Sequence, residues 1–168
     1  MIKYAYFAGG CFWCITPVFK ERVGILDVIS GNCGGRKAFP TYEEVKSQLT
    51  GHRETVKVVY DSEKGSFSDL MDLFLSTVDP YDGGGQFIDR GHSYTLAVYC
   101  NGETEKQTAI SKISALEASS GKRVYIAVED FKAFYPAEEE HQDYYLKHPA
   151  EFEKELIDSG RKPKGEAE

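Results

Sequence analysis

The chain has 168 residues, long enough to bury a full core in one domain, so its four cysteines are not needed as disulfide or metal staples. A net charge of −7, with 41% hydrophobic and 28% charged residues, describes an ordinary acidic globular protein and argues against a nucleic-acid partner. The first ten residues lack the apolar core of a signal peptide and no run approaches the length of a membrane span, so the cytoplasm is the expected compartment and no membrane partner is expected.

Lys3 to Ala8 is short, aromatic and closed by Gly9-Gly10, which reads as a buried strand. Cys11-Phe12-Trp13-Cys14 follows, with the chain's single tryptophan. A cysteine in a glycine turn just ahead of a helix sits where backbone N–H groups and the helix dipole stabilise a thiolate, the form in which a thiol attacks. The plainer alternative is a buried cysteine packed with two core aromatics. Val18, Phe19 and Val23 carry a helical pattern. Proline lacks an N–H and belongs in a helix's first turn, so with Pro17 in place regular helix is expected no earlier than about Trp13, and Thr16 is available to cap a later start. Ile25 to Ser30 reads as a second strand, ending in the glycine loop Gly31-Asn32-Cys33-Gly34-Gly35. Strand, helix and strand in succession imply a parallel crossover whose two strands end at one edge of the sheet, which makes the Cys11 turn and the Cys33 loop expected neighbours.

Tyr42 to Leu49 reads as a polar turn or short helix, and Thr55 to Asp61, with its alternating Val56, Val58 and Tyr60, as a third strand. Ser66 with Asp69 forms a capping box ahead of a helix carrying Phe67, Leu70, Leu73 and Phe74, stopped at Asp79-Pro80. Tyr81 to Gly91 is a long irregular loop of the kind that carries function. Tyr94 to Tyr99 is a strand, Glu103 to Ser119 an amphipathic helix with Ile110, Ile113 and Leu116 inward, and Val124 to Glu129 a fifth strand. Glu138 to Lys147 is a charged helical region, and Pro149 opens a last short helix. Residues 1–158 are expected to form a single catalytic domain and 159–168 a disordered tail. The β-α-β-β-α-β order predicts an α/β fold: an α+β plait of two layers, with a ferredoxin-like core, a mixed sheet and extended loops. A zinc site beginning at Cys11-Phe12-Trp13-Cys14 is not expected, because no second cysteine pair follows and the four histidines are scattered.

Six segments, in this order, resemble the peptide methionine sulfoxide reductases of the A type. Gly10-Cys11-Phe12-Trp13 is similar to the family signature and Gly31 to Gly35 to its glycine loop. Pro40-Thr41-Tyr42-Glu43-Glu44-Val45 is similar to the segment carrying an active-site tyrosine, and Thr50-Gly51-His52-Arg53-Glu54 to the one carrying the acid. Asp89-Arg90-Gly91 with Tyr94 resembles a second polar cluster, and Ala137-Glu138-Glu139-Glu140-His141-Gln142 the C-terminal hallmark. The resemblance covers roughly Tyr6 to His148 and implies reduction of methionine S-sulfoxide, free or in proteins. On that reading the Cys11 thiolate attacks the sulfoxide sulfur, and Phe12 and Trp13 enclose the substrate methyl group. Glu54 is the protonated acid that serves the oxygen, Tyr42 and Tyr94 hydrogen-bond it, and Asp89 orients the site. Cys11 is left as sulfenic acid, a second thiol condenses with it, and thioredoxin, or dithiothreitol in the test tube, reopens the disulfide. No prosthetic cofactor and no metal are implied, and a monomer is expected.

The chain departs from the family pattern at Thr16-Pro17, at Thr95 where arginine is usual, and at Glu140 where tyrosine is usual. The C-terminal cysteine pair common in the family is absent, which leaves Cys14, Cys33, Cys100 or an outside thiol to resolve the sulfenic acid. Cys33 is the expected resolving residue, since the crossover brings its loop to the edge where Cys11 lies and the glycines at 31, 34 and 35 let that loop move, with Cys14 the runner-up. Each assignment has a plain rival. Tyr42 and Tyr94 would serve as packing residues, Glu54 as a surface charge, Asp89 as a turn former and His141 as helix-surface charge with no role. Two other functions compete: a thiol-disulfide oxidoreductase using Cys11 and Cys14, and a non-catalytic binder of methionine-containing peptides.

Overall fold

Alternation of side chains along the strands sets the architecture of the computed structural model, which describes residues 1–87, 89–142, 144–147, 149–151 and 154. In chain order the elements are β1 (Ile2–Gly9), α1 (Phe12–Lys20), β2 (Ile25–Cys33), α2 (Tyr42–Lys46), β3 (Arg53–Asp61), α3 (Phe67–Thr77), β4 (Gly85–Gln86) and β5 (Asp89–Arg90). A 3-10 turn at His92–Tyr94 leads into β6 (Leu96–Cys100), α4 (Glu103–Ser120), β7 (Ile126–Asp130), β8 (Phe134–Pro136), a second 3-10 turn at Glu139–His141, and α5 (Tyr144–Lys147). The result is an α/β arrangement around a mixed sheet ordered β7-β6-β1-β3-β2-β8. The tail expected at 159–168 lies outside the described residues.

β1 and β2 are each antiparallel to β3, which lies between them, so they run parallel and end at the same edge as the crossover requires. β6 is antiparallel to β1, β7 is parallel to β6, and β8 is antiparallel to β2. Ala5 and Phe7 of β1, Val56 and Val58 of β3, and Leu96 and Val98 of β6 point to the helix layer. There the Phe7 ring lies 5.3 Å from Phe19, 5.9 Å from Phe67 and 5.1 Å from Phe74. Such pairs contribute about 0.5–1.5 kcal/mol each beyond the area they bury, so Phe7 locks α1 and α3 to one strand. The alternate residues Tyr6, Ala8, Ala97 and Tyr99 face the other way, together with Cys33. Phe131 covers that side, stacked on Tyr6 at 4.0 Å.

Several boundaries differ from the sequence reading. α1 begins at Phe12, with Pro17 inside it as its sixth residue. Its start is supplied from a distant strand, as described below, and Thr16 is no cap but donates back to the Phe12 carbonyl at 2.8 Å. β2 runs on through Gly31, Asn32 and Cys33 because β8, a strand without a sequence signal, pairs with those three residues. A Cβ on Gly31 would meet the Tyr135 carbonyl oxygen at 2.5 Å, so this glycine answers a close approach of backbone rather than a turn. α4 turns Ala109 and Ile113 inward with Leu116 packed beside them, whereas Ile110 is exposed. The loop at 81–91 holds the β4-β5 pair and is organised by Gln86, fully buried, whose carboxamide accepts from Asp79 N–H and donates to Asp79 and Gly85 carbonyls.

Candidate active site

The edge where β1 ends carries the turn Gly10-Cys11, made possible by Gly10 at φ +90°. Cys11 is the N-cap of α1, and its side chain makes no capping hydrogen bond to the helix. Glu54, at the same edge on β3, faces the helix layer by strand parity and is only 1% exposed. Its Oε1 accepts the Phe12 N–H at 3.1 Å. A carboxyl 42 residues away therefore satisfies one of the orphan donors of α1, and this lets the helix begin directly after the cysteine.

Tyr42 opens α2, which is started by a Thr41–Glu44 capping box and held from outside by Glu138, whose carboxylate accepts the Tyr42 N–H at 3.3 Å. Tyr94 closes the 3-10 turn His92–Tyr94 and packs with Cys11 and Cys14. The two tyrosine side chains lie within electrostatic reach of each other. Burial first, and the Glu54 carboxyl next, push both phenols above their ordinary range, which keeps them protonated as donors. Asp89 on β5 lies within electrostatic reach of Cys11 and Tyr94.

Cys11 itself does not rest as the thiolate that a helix N-terminus alone would favour. A hydrogen bond with the Cys14 thiol, burial, and the nearby Glu54 and Asp89 carboxyls together hold its pKa well above the usual thiol value. The helix dipole favours the thiolate, and the Cys14 hydrogen bond and burial among acidic neighbours oppose it. The structure thus brings Cys11, Cys14, Glu54, Tyr42, Tyr94 and Asp89 together.

Over them stands an aromatic wall. Trp13 is half-buried and stacks on Tyr42 at 5.8 Å, while Phe12 beside it is buried in the core. His141, to which the sequence assigned no role, completes the wall: its ring lies 4.3 Å from Tyr42 and 5.6 Å from Trp13, near parallel to both. Gln142 next to it accepts the Ser30 N–H at 2.9 Å and donates to the Ser30 carbonyl at 2.8 Å, which fastens this segment to β2. The hallmark segment containing both residues was the only sequence signal for them.

Cys33 is not brought to Cys11. It sits on the opposite face of the sheet, inside β2, with its thiol donating to the Ala133 carbonyl at 3.1 Å and pushed up to about 12 by burial and by Glu129. Cys100 lies in the helix-side core, raised to about 11 chiefly by burial. Thr95, at the position where the family usually has arginine, receives the guanidinium of Arg53 at 2.8 Å, and Arg53 also reaches Tyr99 and Glu129 on the far face. Among the described residues no group of three or more His, Cys, Asp or Glu is placed to hold a metal ion. No helix of the described residues is long and apolar enough to cross a membrane.

The family model described as peptide methionine sulfoxide reductase matches residues 3–167. The chain is 47% identical over 151 residues to the peptide methionine sulfoxide reductase MsrA of Picrophilus torridus, covering 89% of this chain and 85% of that one. It is 44% identical over 161 residues to MsrA of Bacillus licheniformis, covering 95% and 89%. Among solved structures, methionine sulfoxide reductase A of Corynebacterium diphtheriae superimposes with a TM-score of 0.81 at 30% identity over 88% of this chain and 76% of that one. Reduced Mxr1 from Saccharomyces cerevisiae shares the fold, with a TM-score of 0.84 at 24% identity over 89% and 87%. With a family model spanning nearly its whole length and relatives this similar over most of theirs, the chain belongs to the peptide methionine sulfoxide reductase family.

Proposed function

We propose that this chain reduces methionine S-sulfoxide, free or in proteins, to methionine, with Cys11 as nucleophile and Glu54 as the acid. The observation that carries the reading is the hydrogen bond from Phe12 N–H to Glu54: it places a buried carboxyl at the first peptide after the reacting cysteine, beside two protonated tyrosine hydroxyls. A dithiol motif acting alone needs none of those groups, and a passive binder has no use for a buried acid. Burial of a carboxyl disfavours its charged form, which is what proton donation to the sulfoxide oxygen requires. Tyr42 and Tyr94 hydrogen-bond that oxygen, Asp89 orients the site, and Trp13 with Phe12 encloses the methyl group. In the first step the Cys11 sulfur bonds to the sulfoxide sulfur and then receives its oxygen. Cys11 loses two electrons, the substrate sulfur gains two, and thiol plus sulfoxide become sulfenic acid plus methionine with no change in proton count.

For the second step we favour Cys14 over Cys33. The Cys14 thiol already lies beside Cys11 and interacts with it, whereas Cys33 would have to leave a strand paired on both sides. Condensation of the sulfenic acid with the Cys14 thiol forms the disulfide and releases water, and a dithiol reductant of the thioredoxin class restores both thiols. The strand order β6-β1-β3-β2, antiparallel throughout, supports a ferredoxin-like plait at the centre of a single catalytic domain over 1–158. We further propose a cytoplasmic monomer that needs no prosthetic cofactor.

The test of function is consumption of free methionine S-sulfoxide and of its R epimer with dithiothreitol as reductant. Turnover of the S epimer with none of the R is expected, because one methyl pocket and one oxygen site around a fixed thiol select handedness. Equal rates on both would contradict a single preorganised site, and no turnover of either would reject the function. Peptide mapping after one turnover without reductant tests the second step. A Cys11–Cys14 linkage is expected, formed equally in Cys33→Ser, with a persistent sulfenic acid in Cys14→Ser. A Cys11–Cys33 linkage would return the resolving role to Cys33.

A further inference from the structure

Immediately after α2 the chain does something costly. Gln48 adopts φ +70°, a conformation that glycine takes freely and that a side chain with a Cβ resists. Gln48 nevertheless holds a fixed geometry. Its Oε1 accepts the Ser93 N–H at 2.8 Å and its Nε2 donates to the Ser93 Oγ at 2.8 Å, so one carboxamide engages both polar groups of a residue that is 1% exposed. A third bond, from Nε2 to the Lys46 carbonyl at 3.1 Å, ties the same carboxamide back to the end of α2. Room for it is made by Gly91, where a Cβ would stand 2.8 Å from the Gln48 Cδ and Oε1. Two unusual backbone positions, φ +70° at Gln48 and φ +117° at Gly91, thus accommodate one side-chain contact.

The contact joins the two pieces that carry the site tyrosines. Tyr42 is the first residue of α2, and Tyr94 follows Ser93 in the 3-10 turn. No strand pairing connects these pieces. Resting on the reductase reading above, we propose that Gln48 is a positioning residue that sets the spacing of the Tyr42 and Tyr94 hydroxyls by clamping Ser93 to the end of α2. Strain concentrated at a residue whose side chain braces a reacting site is retained because the surrounding contacts over-determine it. Hydroxyls placed ahead of time act without reorganising when the oxygen arrives, and displacement of such groups by a fraction of an ångström slows the chemical step more than it weakens binding.

Gln48→Gly separates the clamp from the fold, because glycine relieves the backbone at φ +70° while removing the carboxamide. Gln48→Asn is the second variant: asparagine also tolerates positive φ, but its amide is one methylene short of Ser93. The measurement is the single-turnover rate of sulfenic acid formation with methionine S-sulfoxide, together with the sulfoxide concentration giving half-maximal rate. Both variants are expected to slow the step by about tenfold or more, with the half-saturating concentration changed by less than about twofold. In a Tyr94→Phe background the same substitutions are expected to have almost no further effect, because a clamp that acts through the Tyr94 hydroxyl has nothing left to position. Unchanged rates in both variants, or an equal slowing with and without the Tyr94 hydroxyl, would overturn the proposal and leave Gln48 a stabilising contact. In either case turnover by the unsubstituted protein upholds the reductase reading. Failure of the unsubstituted protein to react would reject that reading and this inference with it.

Discussion

Replacement of Cys11 by serine is expected to bring reduction of methionine S-sulfoxide below detection, a loss on the order of 10⁶-fold as seen when other enzymes lose their nucleophile. The hydroxyl that replaces the thiol has no strong base beside it: the groups around position 11 are a thiol, two protonated phenols and two carboxyls, which even when ionised are weak bases. A hydroxyl also cannot reach the sulfenic acid state, so the two electrons needed by the substrate have no source. The experiment is clean because the fold should gain from the change. Cys11 is an N-cap without a side-chain cap bond, and serine is among the preferred residues there, so α1 should be held as well as before or better, by up to about 1 kcal/mol. Retained melting temperature with no turnover, read by calorimetry and by methionine release, is the expected pair of results. Appreciable turnover in Cys11→Ser would remove Cys11 from the chemistry.

The part of this site that could be read in advance is the part determined by local pattern. The turn after β1, the capping box at Ser66, and the parallel relation of β1 and β2 follow from glycines, capping residues and crossover geometry. What escaped was determined by partners far away in sequence. Gly31 looked like the start of a loop, and ending β2 at Ser30 hid the parity that carries Cys33 to the face away from Cys11. The cause is β8, about a hundred residues on, whose Tyr135 backbone approaches too closely for any side chain at position 31. In the same way the start of α1 is decided by Glu54, and Pro17 is tolerated inside the helix it was expected to begin. The resting state of Cys11 was misjudged for a related reason. A helix N-terminus is visible in sequence, whereas the burial and the carboxyls that oppose it exist only once β3 and the 81–91 loop are folded around the thiol. Gln48 gave no sign at all, since a positive φ and a partner at position 93 leave no local pattern.

Glu54→Gln offers the sharpest division between the acid role and a merely electrostatic one, because the two make opposite predictions about the rate of sulfoxide reduction. The amide keeps an oxygen to accept the Phe12 N–H, so α1 should start where it does now and the fold should persist. The Cys11 pKa is raised first by the Cys14 hydrogen bond, then by burial, then by Cys14 and Glu54 as charges. Where Glu54 is ionised, removing its charge lowers the Cys11 pKa, so above the Glu54 pKa the variant should carry more thiolate, measurable as faster alkylation by iodoacetamide in the absence of substrate. If thiolate supply governed the reaction, the variant would also reduce sulfoxide faster. With Glu54 as proton donor it should instead be slower in sulfenic acid formation by about 10²–10⁴-fold, the usual contribution of a general acid. The pH dependence has a definite sign. An acid must be protonated to act, so the rate of the unsubstituted protein falls as pH rises through the Glu54 pKa, while the supply of thiolate pushes the rate the other way. Gln cannot titrate, so the falling limb should vanish and only the rise with pH remain. Faster alkylation joined to much slower reduction, without an alkaline fall, is the combination that only a proton-donating Glu54 produces; a variant faster in both would show that the carboxyl merely restrains the thiol.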